Sequence, residues 1–193
     1  MIKVRKYIIL SCLLITLIIP MFFGFFIEYF RIIELNWCVF LIFIIGLLIL
    51  LFLGKIIEVF GYNDKNIEVI KKQDVISAFI NKDNKLIIWL FFPIIIVIEE
   101  LIFRYYLIGF LIQTLESVLV IFISSIAFSL FHIHIWFRYK NLKILLINLG
   151  YPFLMGLYSG YIFLKLGIIH CILVHYVIAL SMYYGIYRRY FKT

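Results

Sequence analysis

The sequence predicts an all-α bundle of about six membrane-spanning helices, and three features carry that prediction. First, 66% of its 193 residues are hydrophobic and only 15% are charged, where a soluble domain averages roughly 45–50% apolar residues. With a mean hydropathy of +1.16, no soluble fold could cover so much apolar surface, so lipid must be the solvent. Second, the apolar residues fall into runs of about 20, the length that crosses a bilayer as a helix. Third, the Lys and Arg clusters behind the net charge of +8 lie between or beside those runs.

The expected spans are 7–27, 36–57, 86–106, 117–137, 144–164 and 167–187, within a single membrane domain over 1–193. The first is interrupted by Pro20 and Gly24. Its basic start and apolar run resemble a signal peptide, but the run is too long and lacks a small-residue cleavage site, so it counts as a span. Between the second and third spans lies a polar stretch, 58–85, in which Val69 to Ile80 repeats apolar residues at helical spacing and reads as a helix lying on the membrane surface. Apolar character in the third span continues, with interruptions, to about Leu115. A short basic turn at Arg138-Tyr139-Lys140-Asn141 separates the fourth and fifth spans. The last two follow almost without a break, as an antiparallel hairpin.

Of the 18 Lys and Arg residues, 15 fall on one side if the N-terminus is cytoplasmic, against Arg31, Arg104 and Lys165 on the other. This bias predicts both termini in the cytoplasm, and a multi-pass protein of the cell membrane whose first partner is the lipid bilayer. Because the basic residues flank apolar runs instead of forming a face, nucleic acid is not an expected partner. Cys12, Cys38 and Cys171 sit unpaired in apolar runs and read as small buried hydrophobes.

Against this background the charges inside spans stand out. Glu99, Glu100 and Arg104 follow Pro93-Ile-Ile-Ile-Val-Ile, and a charge at mid-span costs about 2.5–3.5 kcal/mol even on the lenient insertion scale. Glu100 and Arg104, four apart, share a helix face and can pair. Glu99 is turned about 100° away and faces something else. A poised base beside a neutralised carboxylate is the functional reading, and a structural ion-pair clamp the alternative. His132 follows Phe128 by four in the fourth span, whereas His134 points elsewhere. In the sixth, His175 is nearer mid-span than His170 and is the better candidate. Gly156 and Gly160 form a small-xxx-small packing pattern. Asn148 and Tyr151 read as helix-to-helix hydrogen-bonding groups. One Glu and two His on separate helices could hold zinc, or could activate water without a metal.

These residues, Glu99-Glu100-x-x-x-Arg104, Phe128-x-x-x-His132 and His175 in that order, resemble the CPBP/Abi family. It contains the type II CAAX prenyl endopeptidases and bacterial bacteriocin-immunity proteins. The resemblance covers about 87–181. It implies an intramembrane endopeptidase acting on a peptide or protein, with or without a lipid modification, and without a cofactor, zinc being the less favoured alternative. It further implies Glu99 as general base activating water with His132, His175 stabilising the oxyanion, and Glu100, Arg104 and Phe128 in support. Where the family usually carries Asn or another polar residue, four positions after the last histidine, this chain has Ala179. Tyr176, Ser181 or Asn148 could substitute. The departure leaves a non-catalytic immunity or scaffold protein as the second reading. Substrate identity and oligomeric state are not fixed by these residues. Straight helices also set a geometric problem: at about 1.5 Å per residue, Glu99 and His132 would differ in depth by over 10 Å.

Overall fold

A computed structural model describes residues 2–62, 67–68, 70–71, 73–80 and 86–192, and these are helical with no strand. Helix α1, Ile2–Phe22, contains Pro20 near its end. The chain then reverses through Gly24 and Phe26, at φ 84° and 55°, into one short 3-10 turn, Ile27–Phe30. Helix α2, Trp37–Ile56, starts where the Asn36 side chain accepts from the Val39 N–H, a standard N-cap. It runs on as a widened turn, Ile57–Gly61. The Ile33 and Glu34 N–H groups both donate to the Lys165 carbonyl, and Glu34 pairs with the Lys165 ammonium. These bonds fasten the α1–α2 connection to the far end of the bundle.

Helix α3, Asp74–Ile80, comes from the polar stretch. Ile76 and Ala78 are buried, and Phe79 stacks on Tyr187 at 5.5 Å. The apolar face expected on the membrane surface is therefore docked on the last helix, and a helix face of that composition suits either surface. Val69 and Lys72, and residues 63–66 and 81–85 of the polar stretch, lie outside the described residues.

Helix α4 covers 87–111 in four joined pieces. Regular turns at Phe92–Glu100 and Gly109–Leu111 alternate with wider, i→i+5 bonded turns at Ile87–Phe91 and Leu101–Ile108. Helix α5, Ser117–Phe131, returns antiparallel. After a two-residue break, α6, His134–Tyr139, leads to the left-handed Lys140. Asn141 then caps α7, Leu142–Leu166. Gly167 alone joins α7 to α8, Ile168–Tyr190. Its φ of 82° and an ideal Cβ position 2.5 Å from the Tyr29 carbonyl both demand glycine.

Among the described residues, four helices are long and apolar enough to cross a membrane, Trp37–Gly61, Ser117–Phe137, Leu142–Leu166 and Ile168–Tyr190, and only 17–33% of their most apolar stretches are buried in the protein. The rest face outward, so the chain is an integral membrane protein. The two other expected spans differ from these for visible reasons. The apolar part of α1, Tyr7–Phe22, is shorter, and α4 carries Glu99, Glu100 and Arg104.

The small-xxx-small pattern lies where α7 meets α5. A Cβ at Gly156 would come within 2.9 Å of Ser125 Cα, and one at Gly160 within 3.0 Å of Ile121. Gly156→Ala is expected to cost about 1–3 kcal/mol through overpacking against backbone that cannot yield. Thermal unfolding in detergent checks this, and an unchanged melting temperature would contradict the close approach.

Candidate active site

Helix α4 brings Glu99 and Glu100 to the end of its regular segment, just before the wider turns begin. Glu100 faces the bundle. Its Oε1 lies 3.3 Å from an Arg104 terminal nitrogen, and both side chains are fully buried, as the four-residue spacing predicts. Arg104 also lies over the Phe128 ring, 4.1 Å from guanidinium carbon to centroid. Its nitrogens make no hydrogen bond to the described residues. Its charge is met by one carboxylate and one aromatic face, a contact worth about 2 kcal/mol or more once desolvated.

Phe128 is the plate on which the site is assembled. Phe103, His132 and His175 meet its ring nearly edge-on, at centroid separations of 5.3, 5.1 and 5.7 Å. Both histidines are also oriented by hydrogen bonds. His132 Nδ1 lies 2.9 Å from the Phe128 carbonyl. A carbonyl only accepts, so Nδ1 carries the proton and Nε2 of the neutral ring is an acceptor. His175 Nδ1 lies 2.7 Å from Glu100 Oε1 and by the same reasoning donates to it. That turns His175 Nε2 towards Glu99 Oε2, 3.8 Å away. Arg104 and Glu100 cancel each other's charge.

Glu99, His132 and His175 line one cavity of about 280 Å³. Glu100, Arg104 and Phe128 lie behind its wall. The depth problem is resolved by register. Ser124 Oγ donates to the Phe103 carbonyl at 2.7 Å, so Ser124 of α5 is level with Phe103 of α4. From there His132 is eight residues on, about 12 Å, and Glu99 four residues back, about 6 Å, both at 1.5 Å per residue. The remaining offset of about 6 Å is spanned by the two side chains across the cavity. Counting depth from assumed membrane edges had placed α5 too far along.

Several lining groups were not anticipated. His134 reaches the cavity because the helix breaks at His132 and Ile133, so an extrapolated helical phase fails there. Its ring is 6.3 Å from that of His132. Gln73, Asp74 and Val75 bring the start of α3 to the cavity, joined by Tyr139 and Tyr183. The apolar spacing of 69–80 was the available signal for α3, but not for what it would cover. Ala179 is on the wall, as is Asn148, whose amide donates to the Ile144 carbonyl at 2.8 Å. Of the three candidate substitutes for the missing polar group, Asn148 reaches the cavity, Tyr176 packs on Phe92, and Ser181 faces a separate pocket. His170 bonds the Leu166 carbonyl and meets Phe43 edge-on, away from the site.

A catalytic zinc takes three protein ligands. Among the described residues no group of three or more His, Cys, Asp or Glu is arranged to hold a metal ion.

Fold and site together define an integral membrane protein of the helical-bundle type, with a carboxylate–histidine cavity among its helices. The sequence pattern of the family described as type II CAAX prenyl endopeptidase Rce1-like matches residues 82–181, just over half of the chain. The chain belongs to this family. Neither the curated proteins nor the solved structures contain a match.

Proposed function

We propose that the chain is an intramembrane endopeptidase of the CAAX-protease type, in which Glu99 and His132 activate water to hydrolyse a peptide bond in or near the membrane. The observation that carries this reading is the approach of Glu99, His132 and His175, from three separate segments, to a single cavity. Each can take a role its geometry suits. Glu99 removes a proton from water, and His132 Nε2 accepts the water's other hydrogen and orients it. The resulting hydroxide attacks the carbonyl carbon. His175, protonated at both nitrogens, donates from Nδ1 to Glu100 and from Nε2 to the developing oxyanion. Glu99 then returns its proton to the leaving amine as the C–N bond breaks.

Glu100 and Arg104 orient His175 from behind. Phe128 fixes the planes of both imidazoles. The proton moves through side chains alone, so the step needs no metal or other cofactor. A metal chelator is accordingly expected to leave cleavage unchanged, and loss of activity restored by added zinc would overturn the metal-free step. We place the protein in the cell membrane with both termini cytoplasmic, acting on a peptide or protein that reaches the cavity past the start of α3.

His132→Ala is expected to reduce cleavage of a quenched fluorescent peptide bearing a prenylated C-terminus about a hundredfold, the lower range for a lost acid–base partner. The assay uses chain purified in detergent, with circular dichroism and gel filtration as folding checks. Wild-type rates from a folded His132→Ala protein would sink the mechanism. Ala179, an apolar group on the cavity wall, favours a second reading, a non-catalytic immunity or scaffold protein. Bacteriocin protection that survives Glu99→Gln would select it.

A further inference from the structure

The proposed mechanism leaves unused a further buried carboxylate, in the widened turn that continues α2. Glu58 is 4% exposed, and its Oε1 accepts from the Lys55 ammonium at 2.6 Å, with the Lys55 side chain itself 63% exposed. A carboxylate near the end of a span is costly unless paired or wetted, and this one is held half by a cation that reaches outward.

The helices make room for it. A Cβ at Gly185 of α8 would fall on Glu58 Oε2, and one at Gly54 of α2 would come within 2.9 Å of the Tyr151 hydroxyl. Glycine inside a helix is less favourable than alanine. These two positions admit polar side-chain tips that any larger residue would exclude. The result is a side pocket of about 70 Å³ bordered by Lys55, Glu58, Tyr151 and Ser181. At roughly 30 Å³ per molecule it has room for about two waters, with enough polar partners to hold them.

Three residues, Tyr151, Ile178 and Met182, border both this pocket and the Glu99 cavity. Tyr151 is fixed by donating to the Leu50 carbonyl at 2.9 Å. Met182 is unbranched and flexible, and so is the movable part of the partition. A substrate segment that enters past α3 would fill the cavity from the side through which water otherwise arrives.

We propose that the Glu58 pocket is a water-holding side chamber that supplies the Glu99 cavity through the Met182 partition while a substrate occupies the cavity. The supply role rests on the peptidase reading; the wetted pocket does not.

The test uses the full chain in liposomes with Cys12→Ala and Cys38→Ala, which silence the exposed native thiols. A membrane-impermeant trimethylammonium methanethiosulfonate is added to both faces. Ser181→Cys is expected to react at least tenfold faster than Leu173→Cys, a lipid-facing position on the same helix, 57% exposed. Adding Glu58→Leu, which fills the pocket with an apolar group, is expected to slow Ser181→Cys at least tenfold. Equal rates at the two positions, or a Ser181→Cys rate unmoved by Glu58→Leu, would overturn the chamber whether or not the chain cleaves peptides. In the cleavage assay, Met182→Phe is expected to lower kcat about tenfold at constant KM, and an unchanged kcat would overturn the supply route. Loss of cleavage in the parent chain, with Ser181→Cys still labelled, would instead mark failure of the peptidase reading alone.

Discussion

Replacing Glu99 by Gln is expected to lower kcat about a thousandfold, an increase of about 4 kcal/mol in the barrier, while the protein folds and KM hardly moves. Gln matches Glu in shape and keeps a carbonyl oxygen for water, but it cannot take the water's proton. General-base catalysis is worth about 10²–10⁴ in rate, and the adjacent carboxylate is not free to substitute. Glu100 is the nearest one, and it is occupied by His175 Nδ1 and Arg104 on the far side of the imidazole. Folding should tolerate the change, because Glu99 belongs to no close ion pair. Its nearest partner, His175 Nε2, is 3.8 Å away. The measurement is single-substrate cleavage kinetics on the folded variant. Full activity there would remove the basis for treating Glu99 as the base, whatever the family resemblance implies.

How far the site could be read in advance depended on which physical rule each residue obeyed. Composition alone fixes the solvent, because 66% hydrophobic residues leave only a lipid environment. The Glu100–Arg104 pair and the separate aim of Glu99 follow from helical spacing, and both are found. Spacing fails where the helix stops being regular. His134 enters the cavity past the break at His132 and Ile133, a discontinuity that no periodicity signals. The register of α4 against α5 is set by one hydrogen bond, from Ser124 to Phe103, which depth counted from span ends cannot supply. Helix α3 was legible as an amphipathic segment but not as the cover of a cavity. Lipid headgroups and a protein face make the same demand on an apolar stripe. The role of Gly185 is also invisible until α8 is placed beside Glu58.

Removing the guanidinium should be the most damaging single change to stability. Arg104→Met is expected to cost about 3–5 kcal/mol, because it strands Glu100 as a fully buried carboxylate with His175 as its remaining partner. Unfolding titrations in mixed detergent micelles give the number. The informative experiment is the double variant Glu100→Gln with Arg104→Met. Replacing both charges of a buried pair by neutral groups of similar size is often close to neutral in free energy, so most of the lost stability should return. Cleavage should not return with it. Without the carboxylate, the doubly protonated form of His175 loses its counter-charge, and the ring is left with only a neutral amide oxygen to hold its Nδ1–H. A clamp that merely joins two turns of α4 would behave differently, because the double variant would recover folding and activity together. A coupling energy below about 0.5 kcal/mol between the two positions would mean that they act independently, contrary to the 3.3 Å contact between two fully buried groups.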